Sequence, residues 1–181
     1  MTATLGDHPL AWTEQEYLAL GETAERIELF DGGLQVTPAP TFRHQDISYA
    51  LAAALQPVAR AAGFRVRQAI NLRLHPGRIP IPDLVVARDV DPGGSVMAAA
   101  NVLMVCEIMS PSNAATDRVL KMHFYAEARI EWYLLIDPDE PTMQLFHYED
   151  GGYRQHAAAA PGLPMTFPTP ISVTVDPASL V

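Results

Sequence analysis

Lysine is nearly absent from this sequence. Of its 12 basic residues, Lys121 is the only lysine and the other eleven are arginines. Cysteine is equally scarce. A single residue, Cys106, excludes an intrachain disulfide and fits a reducing compartment. Positive charge is in deficit, with 12 Lys+Arg against 21 Asp+Glu and a formal net charge of −9. That balance argues against a protein that holds nucleic acid by bulk charge, though not against an enzyme that meets phosphate through a bound metal. Long apolar runs are missing too. The longest, Val96 to Cys106, is interrupted by Asn101 and falls far short of the roughly 20 residues of a membrane span. Met1 to Pro9 has neither a basic n-region nor an apolar h-region. The expectation is a soluble cytoplasmic protein with no membrane partner. No G-x-x-x-x-G-K-[ST], G-x-G-x-x-G or G-x-S-x-G occurs, which removes the common nucleotide-binding and hydrolase signatures. His8, His75, His123, His147 and His156 show no zinc spacing, and Cys106, inside an apolar run, reads as a small core residue.

What is present describes an ordinary globular chain. With 181 residues, 49% hydrophobic and 18% charged, it suits one domain over 1–181, able to bury roughly 70% of its unfolded surface without a staple. Thr13-Glu14-Gln15-Glu16 has the form of a capping box, predicting a helix from Thr13 to about Leu20. Ile27, Leu29, Leu34 and Val36 alternate about Asp31-Gly32-Gly33, a hairpin signal. His44, Ile47, Leu51, Leu55 and Val58 recur at helical spacing over 43–62, with Pro57 expected to bend the helix or shorten its last turn. Phe64 to Leu74 alternates with Arg65, Arg67, Asn71 and Arg73 and reads as one strand with a wet face. A second apolar run, Leu84–Ala87, is followed by a loop around 89–95, a buried strand Val102–Ile108 and a loop at 110–113. Then come a helix over 116–129, a strand Trp132–Ile136, a hairpin Met143–His156 and an edge strand Ile171–Val175. Helices interleaved with strands predict an α/β (α+β) fold, a mixed sheet flanked by helices, whose strand order the sequence does not disclose. The core lies at about 43–137, with an N-terminal helix and hairpin at 13–40 and C-terminal strands at 142–175.

Two carboxylates stand where burial normally excludes them. Asp83 opens an apolar strand directly after Pro82, and Glu107 lies near the end of the most hydrophobic strand. Each needs a partner or a metal, because an unpaired buried charge is costly. An arginine pair or a backbone amide would serve one such residue. Two of them, at corresponding ends of adjacent strands, favour a cation site, and Mg²⁺ takes one or two carboxylates with water and phosphate completing its shell. Asp117, Lys121 and Tyr125 follow at i, i+4, i+8 on one helix stripe. A solvent-facing Asp–Lys pair is the plain alternative, as is a compositional preference for arginine. A compact ammonium beside a metal would orient an attacking water and offset charge on a phosphate.

These residues also carry a family likeness. Glu28-Leu29-Phe30-Asp31-Gly32, His44 opening a helix, Pro82-Asp83-Leu84-Val85-Val86, Glu107-Ile108-Met109-Ser110-Pro111-Ser112 and Asp117…Lys121…Tyr125 occur in this order. As an ordered set, spanning about Thr13 to Tyr148, they resemble the Uma-two family of restriction-type endonucleases, a branch of the PD-(D/E)XK nuclease superfamily. The resemblance implies a restriction-endonuclease-like fold and a metal-dependent endonuclease acting on DNA with Mg²⁺ or Mn²⁺. It implies Asp83, Glu107 and the Ile108 carbonyl as metal ligands, with Asp83, Glu107, Lys121 and His44 as the catalytic set, His44 being otherwise a cap or packing residue at a helix start. Glu28 and Tyr125 are secondary candidates. Glu28 is an outer-shell acid or merely a surface residue of the hairpin, and Tyr125 a hydrogen-bonding neighbour or a core aromatic. One departure matters. Met109 stands two residues after Glu107, where the superfamily pattern has its lysine, so Lys121 replaces that lysine only if its helix packs back on the site. Arg65, Arg67 and Arg73, with Arg43 and Arg78, are candidate phosphate contacts, or else a solvated surface. A homodimer would let paired sites cut both strands. The competing reading is a nuclease fold without turnover, serving as a binding or assembly module; a hydrolase of small phosphoesters is the third.

Overall fold

A computed structural model describes residues 11–21, 23–88, 93–110 and 117–181. Helix α1 (Glu14–Ala19) begins as expected: Thr13 Oγ accepts from the Glu16 amide at 3.2 Å, and the Glu16 carboxylate accepts from the Thr13 amide at 2.9 Å. Strands β1 (Arg26–Phe30) and β2 (Gly33–Thr37) form the antiparallel hairpin. Its turn residues Asp31 and Gly32 take φ of 51° and 89°. A side chain at Gly32 would also meet Ala11, whose Cβ lies 2.6 Å from where a Cβ would stand.

Helix α2 (Phe42–Ala61) starts at Thr41, whose hydroxyl accepts from the His44 amide at 3.3 Å. It presents Ile47, Leu51, Leu55 and Ala59 to the sheet. The helix runs through Pro57 to Ala61, so no turn is lost there. Leu55 and Ala59, both fully buried on either side of the proline, hold the segment against the sheet.

The expected single strand over 64–74 is two strands. β3 (Phe64–Gln68) belongs to the main sheet, whereas β4 (Asn71–Arg73) leaves it and pairs in parallel with β7 (Val96–Ala98). The break falls at Ala69, which takes φ of 49°, a conformation alanine seldom adopts and that its sequence does not announce. Between them β5 (Arg78–Ile79) joins the edge of β1, and β6 (Leu84–Arg88) enters the main sheet. β8 (Val102–Ile108) is buried at every residue. A π-helical turn, Asp117–Lys121, leads directly into α3 (Met122–Glu127). Strands β9 (Trp132–Asp137), β10 (Thr142–Glu149) and β11 (Gly152–Ala159) follow. Of the expected strand 171–175 only Thr174–Val175 is extended. As β13 it pairs with β12 (Met165–Thr166) in a two-stranded ribbon rather than at a sheet edge, pinned by Phe167, Ile171 and Val175 in the core. The expected loops at 89–95 and 110–113 lie largely outside the described residues.

The main sheet has six strands in the order β11-β10-β9-β8-β6-β3, antiparallel throughout except for the central β8–β9 pair. It is a mixed sheet, as expected. One face packs against α2 through Leu51, Leu55, Val86, Met104, Cys106 and Leu134. The other packs against α3 and the β4–β7 pair through Leu72, Val105, Tyr125, Tyr133 and Leu135. Among the described residues no helix is long and apolar enough to cross a membrane.

Candidate active site

Strand register brings the two buried carboxylates together. β6 and β8 run antiparallel with Leu84 opposite Cys106. One step outward stand Asp83 and Glu107, and because side chains alternate, both point to the face that Leu84 and Cys106 do not. The α3 face is therefore the face of the site. Glu28, Asp83, Glu107 and Lys121 are the charged residues that are buried among the described residues, at 1%, 5%, 2% and 4% exposure. All four belong to this one cluster. Buried charge scattered through a core would suggest chance pairing; charge gathered in one place at the end of two strands marks a site.

Asp83 is held by three donors. Arg26 Nη1 lies 2.7 Å from Oδ1, while the Ile108 amide donates to Oδ2 at 2.7 Å and His44 Nε2 stands 3.2 Å from the same oxygen. Burial alone would raise this carboxyl, but the hydrogen bond from His44, the Arg26 charge, the charge of His44 and the Ile108 amide outweigh it and hold the group at about 2. Asp83 is an anion at any ordinary pH. Arg26 also donates to the Ile81 carbonyl. Its guanidinium, despite burial acting the other way, is raised by Asp83, Glu107 and Glu28.

Glu107 has the opposite balance. Full burial pushes its carboxyl up to about 8, opposed by Lys121 and reinforced by Asp83. Tyr125 donates to Glu107 Oε1 at 2.5 Å from the first complete turn of α3. Lys121 points inward. Its Nζ lies 3.0 Å from Glu28 Oε1 and 3.3 Å from Glu107 Oε1, which settles the orientation that the sequence left open. Glu28 is no surface residue of the hairpin: it is buried on β1 and also accepts from the Ile81 amide at 2.7 Å. Tyr125 combines both of its alternatives, a fully buried ring against Tyr133 and a hydroxyl on Glu107.

The structure thus brings together Glu28, His44, Asp83, Glu107, Ile108, Lys121 and Tyr125. Met109, at the position of the missing lysine, lines the same cavity as Lys121. The side chain of Asp117 lies outside the described residues. Of the candidate arginines, Arg43 lines this cavity and the other four stand elsewhere. Arg73 is bound by Glu14, with Nε 2.7 Å from Oε1. Arg78 pairs with Asp31 and Glu127 and lies 3.7 Å over the Phe124 ring. Arg43 donates to the Pro138 carbonyl at 3.2 Å. Arg65 and Arg67 share one face of β3, both partly exposed. Sequence reasoning missed Arg26. Its signal was position: two residues before Glu28 on a strand, it shares that residue's face.

Both carboxylates front a cavity of about 300 Å³ that Lys121, Ile108, His44 and Arg26 also line. Among the described residues no three histidine, cysteine, aspartate or glutamate side chains converge as a ready metal cage. That donor set does not suit zinc. It does fit a hard cation that takes one or two carboxylates and keeps its waters: Asp83 and Glu107 face one cavity, and among the described residues Glu107 Oε2 receives nothing shorter than the 3.4 Å contact from Lys121.

This arrangement, a mixed sheet with acidic residues at the ends of adjacent strands and a lysine from the turn that opens the following helix, defines a nuclease-like α/β fold. A crystal structure of a putative nuclease belonging to DUF820 from Anabaena variabilis superposes with a TM-score of 0.76, at 19% sequence identity, over 93% of this chain and 97% of that one. A family model described as "Uma2: Putative restriction endonuclease" matches residues 14–176, so the chain belongs to the Uma2 family. No curated protein matches it.

Proposed function

We propose that this chain is a divalent-metal-dependent endonuclease that hydrolyses phosphodiester bonds in DNA. The single observation that carries the reading is the inward Lys121, seated between Glu28 and Glu107 and lining the same cavity as Asp83. Family membership supports the reaction class. Asp83, Glu107 and the Ile108 carbonyl would hold the ion, Mg²⁺ or Mn²⁺, which supplies Lewis acidity and a more acidic bound water. The residues of the chain do the rest. Lys121 Nζ orients the attacking water and offsets charge as it gathers on the phosphate oxygens. Glu28 fixes the ammonium, and Tyr125 fixes the Glu107 carboxylate, so neither must reorganise when substrate arrives. His44 and Arg26 act as positioning residues that lock Asp83 in its rotamer.

The test is cleavage of plasmid and single-stranded DNA with Mg²⁺ or Mn²⁺, against a chelated control. Wild type is expected to cut and Asp83→Ala is not; equal backgrounds from the two overturn the reading. One observation favours the second reading, a binding module without turnover. Asp83 already receives Arg26, His44 and the Ile108 amide, so its charge is balanced by the chain's own groups. Calorimetric metal binding that Glu107→Ala abolishes, with no cleavage by wild type, would favour that module.

A further inference from the structure

A second, larger cavity shares a wall with the site. It measures about 790 Å³, within the roughly 300–1,000 Å³ of small-ligand pockets. Arg26, His44 and Asp83 border both cavities. Besides these charged residues and Glu25, the larger one has an apolar and a neutral polar lining. Tyr17 and Leu18 of α1 and Ile27 of β1 form an apolar wall. Gln45, Ser48 and Gln68 bring amide and hydroxyl groups. Gln68 Nε2 donates to Ser48 Oγ at 2.7 Å, which fixes the amide and leaves its carbonyl oxygen and second N–H to be met by a ligand. An apolar face with donor and acceptor groups at the rim matches a nucleobase, which stacks through its ring and is read along its edge.

Two independent observations point the same way. Phe42 and Tyr49 lie seven residues apart on α2 and are 86% and 74% exposed. Two helical turns place them on one face of α2, the face that carries Gln45 between them, and Gln45 lines the larger cavity. Exposed aromatics on a helix face that leads to such a cavity offer stacking surface to unpaired bases. Charge is the other observation. At a net charge of −9, with Arg73 and Arg78 engaged by carboxylates and Arg43 left as the candidate phosphate contact on the smaller cavity, the chain offers little of the phosphate neutralisation that sustains duplex binding. Base contacts must supply the affinity that charge does not.

We propose that the larger cavity is a nucleobase pocket, and that the substrate is DNA presenting an unpaired base next to the scissile phosphate. The substrate class rests on the nuclease reading above; the pocket does not. A paired base shows only its groove edge and does not enter a concave site, so single strands, flaps or gaps are cut and matched duplex is not.

The experiment compares wild type, Gln68→Ala and Gln45→Ala on a single-stranded oligodeoxynucleotide, the same strand in a matched duplex, and the strand with an abasic position beside the cut. Gln45 is exposed, so its variant does not endanger folding. The expected result is preference for the single strand, slow cutting at the abasic position, and a KM raised about tenfold in each variant, the scale of one base contact. Duplex cut as fast as single strand, or unchanged KM in both variants, overturns the proposal while leaving the nuclease reading intact. If wild type cuts nothing, the nuclease reading fails and titration with the four deoxynucleoside monophosphates decides the pocket. Binding weakened by Gln68→Ala upholds it, and no binding overturns it.

Discussion

Strands β6 and β8 are two different materials along their length. From Leu84 to Ala87 and from Val102 to Cys106 they are apolar and fully packed. One residue beyond, at Asp83 and Glu107, they carry buried charge wrapped in Arg26, His44, Lys121, Glu28 and Tyr125. The apolar stretch stabilises the fold through transfer and packing, about 1.5–3 kcal/mol for each large side chain buried. The charged end gains little on balance, since desolvation cancels much of the attraction between buried ions. Residues that contribute little to stability but demand this many partners are retained for what they do.

The largest effect that sharpens this contrast is expected from Lys121→Met. It strips the cation from two buried carboxylates and should cost about 3–5 kcal/mol in denaturant unfolding, together with all cleavage. Leu55→Ala, in the fully buried α2 face, should cost about 3 kcal/mol and leave metal affinity per folded molecule unchanged. Equal losses of metal binding from both variants would erase the distinction between the two regions. Glu107→Gln should separate function from stability. Burial pushes this carboxyl up while Lys121 pulls it down, so the amide, which can still accept from Tyr125 but gives up the charge facing Lys121, is expected to cost less stability than Lys121→Met while calorimetric metal binding falls sharply. The smallest effect concerns Cys106, adjacent to Glu107 but on the opposite face, fully buried and with its thiol pushed up by burial and then by Asp83 and Glu107. It should resist a thiol reagent in the native protein and react once the chain unfolds; rapid native reaction would mean that the apolar end opens.

Much of the architecture was legible because local signals and tertiary packing agreed. The Thr13–Glu16 capping box, the Asp31-Gly32 turn, the helical period through Ile47, Leu51 and Leu55 and the apolar run of β8 each became the element expected. The misses have local causes. Ala69 breaks a strand through a backbone conformation that alanine does not signal, β7 is only three residues long, and Ile171 serves the core without joining a strand. In the site, Asp83 and Glu107 were conspicuous as charges inside apolar runs. Arg26 was not, because arginine at the start of a hairpin strand is unremarkable until its partner, 57 residues later, is folded against it.

By itself the sequence determined the element types, the mixed α/β class and the short list of acids and one lysine that could do chemistry. Those follow from periodicity and from the cost of burying charge, which act along the chain. Only the tertiary structure decided that β8 and β9 lie parallel at the centre, that the turn leading into α3 packs back and sets Lys121 on Glu107, and that Glu28 is buried. These are contacts between residues distant in sequence. Long-range register and helix docking set them, and no local pattern encodes either one.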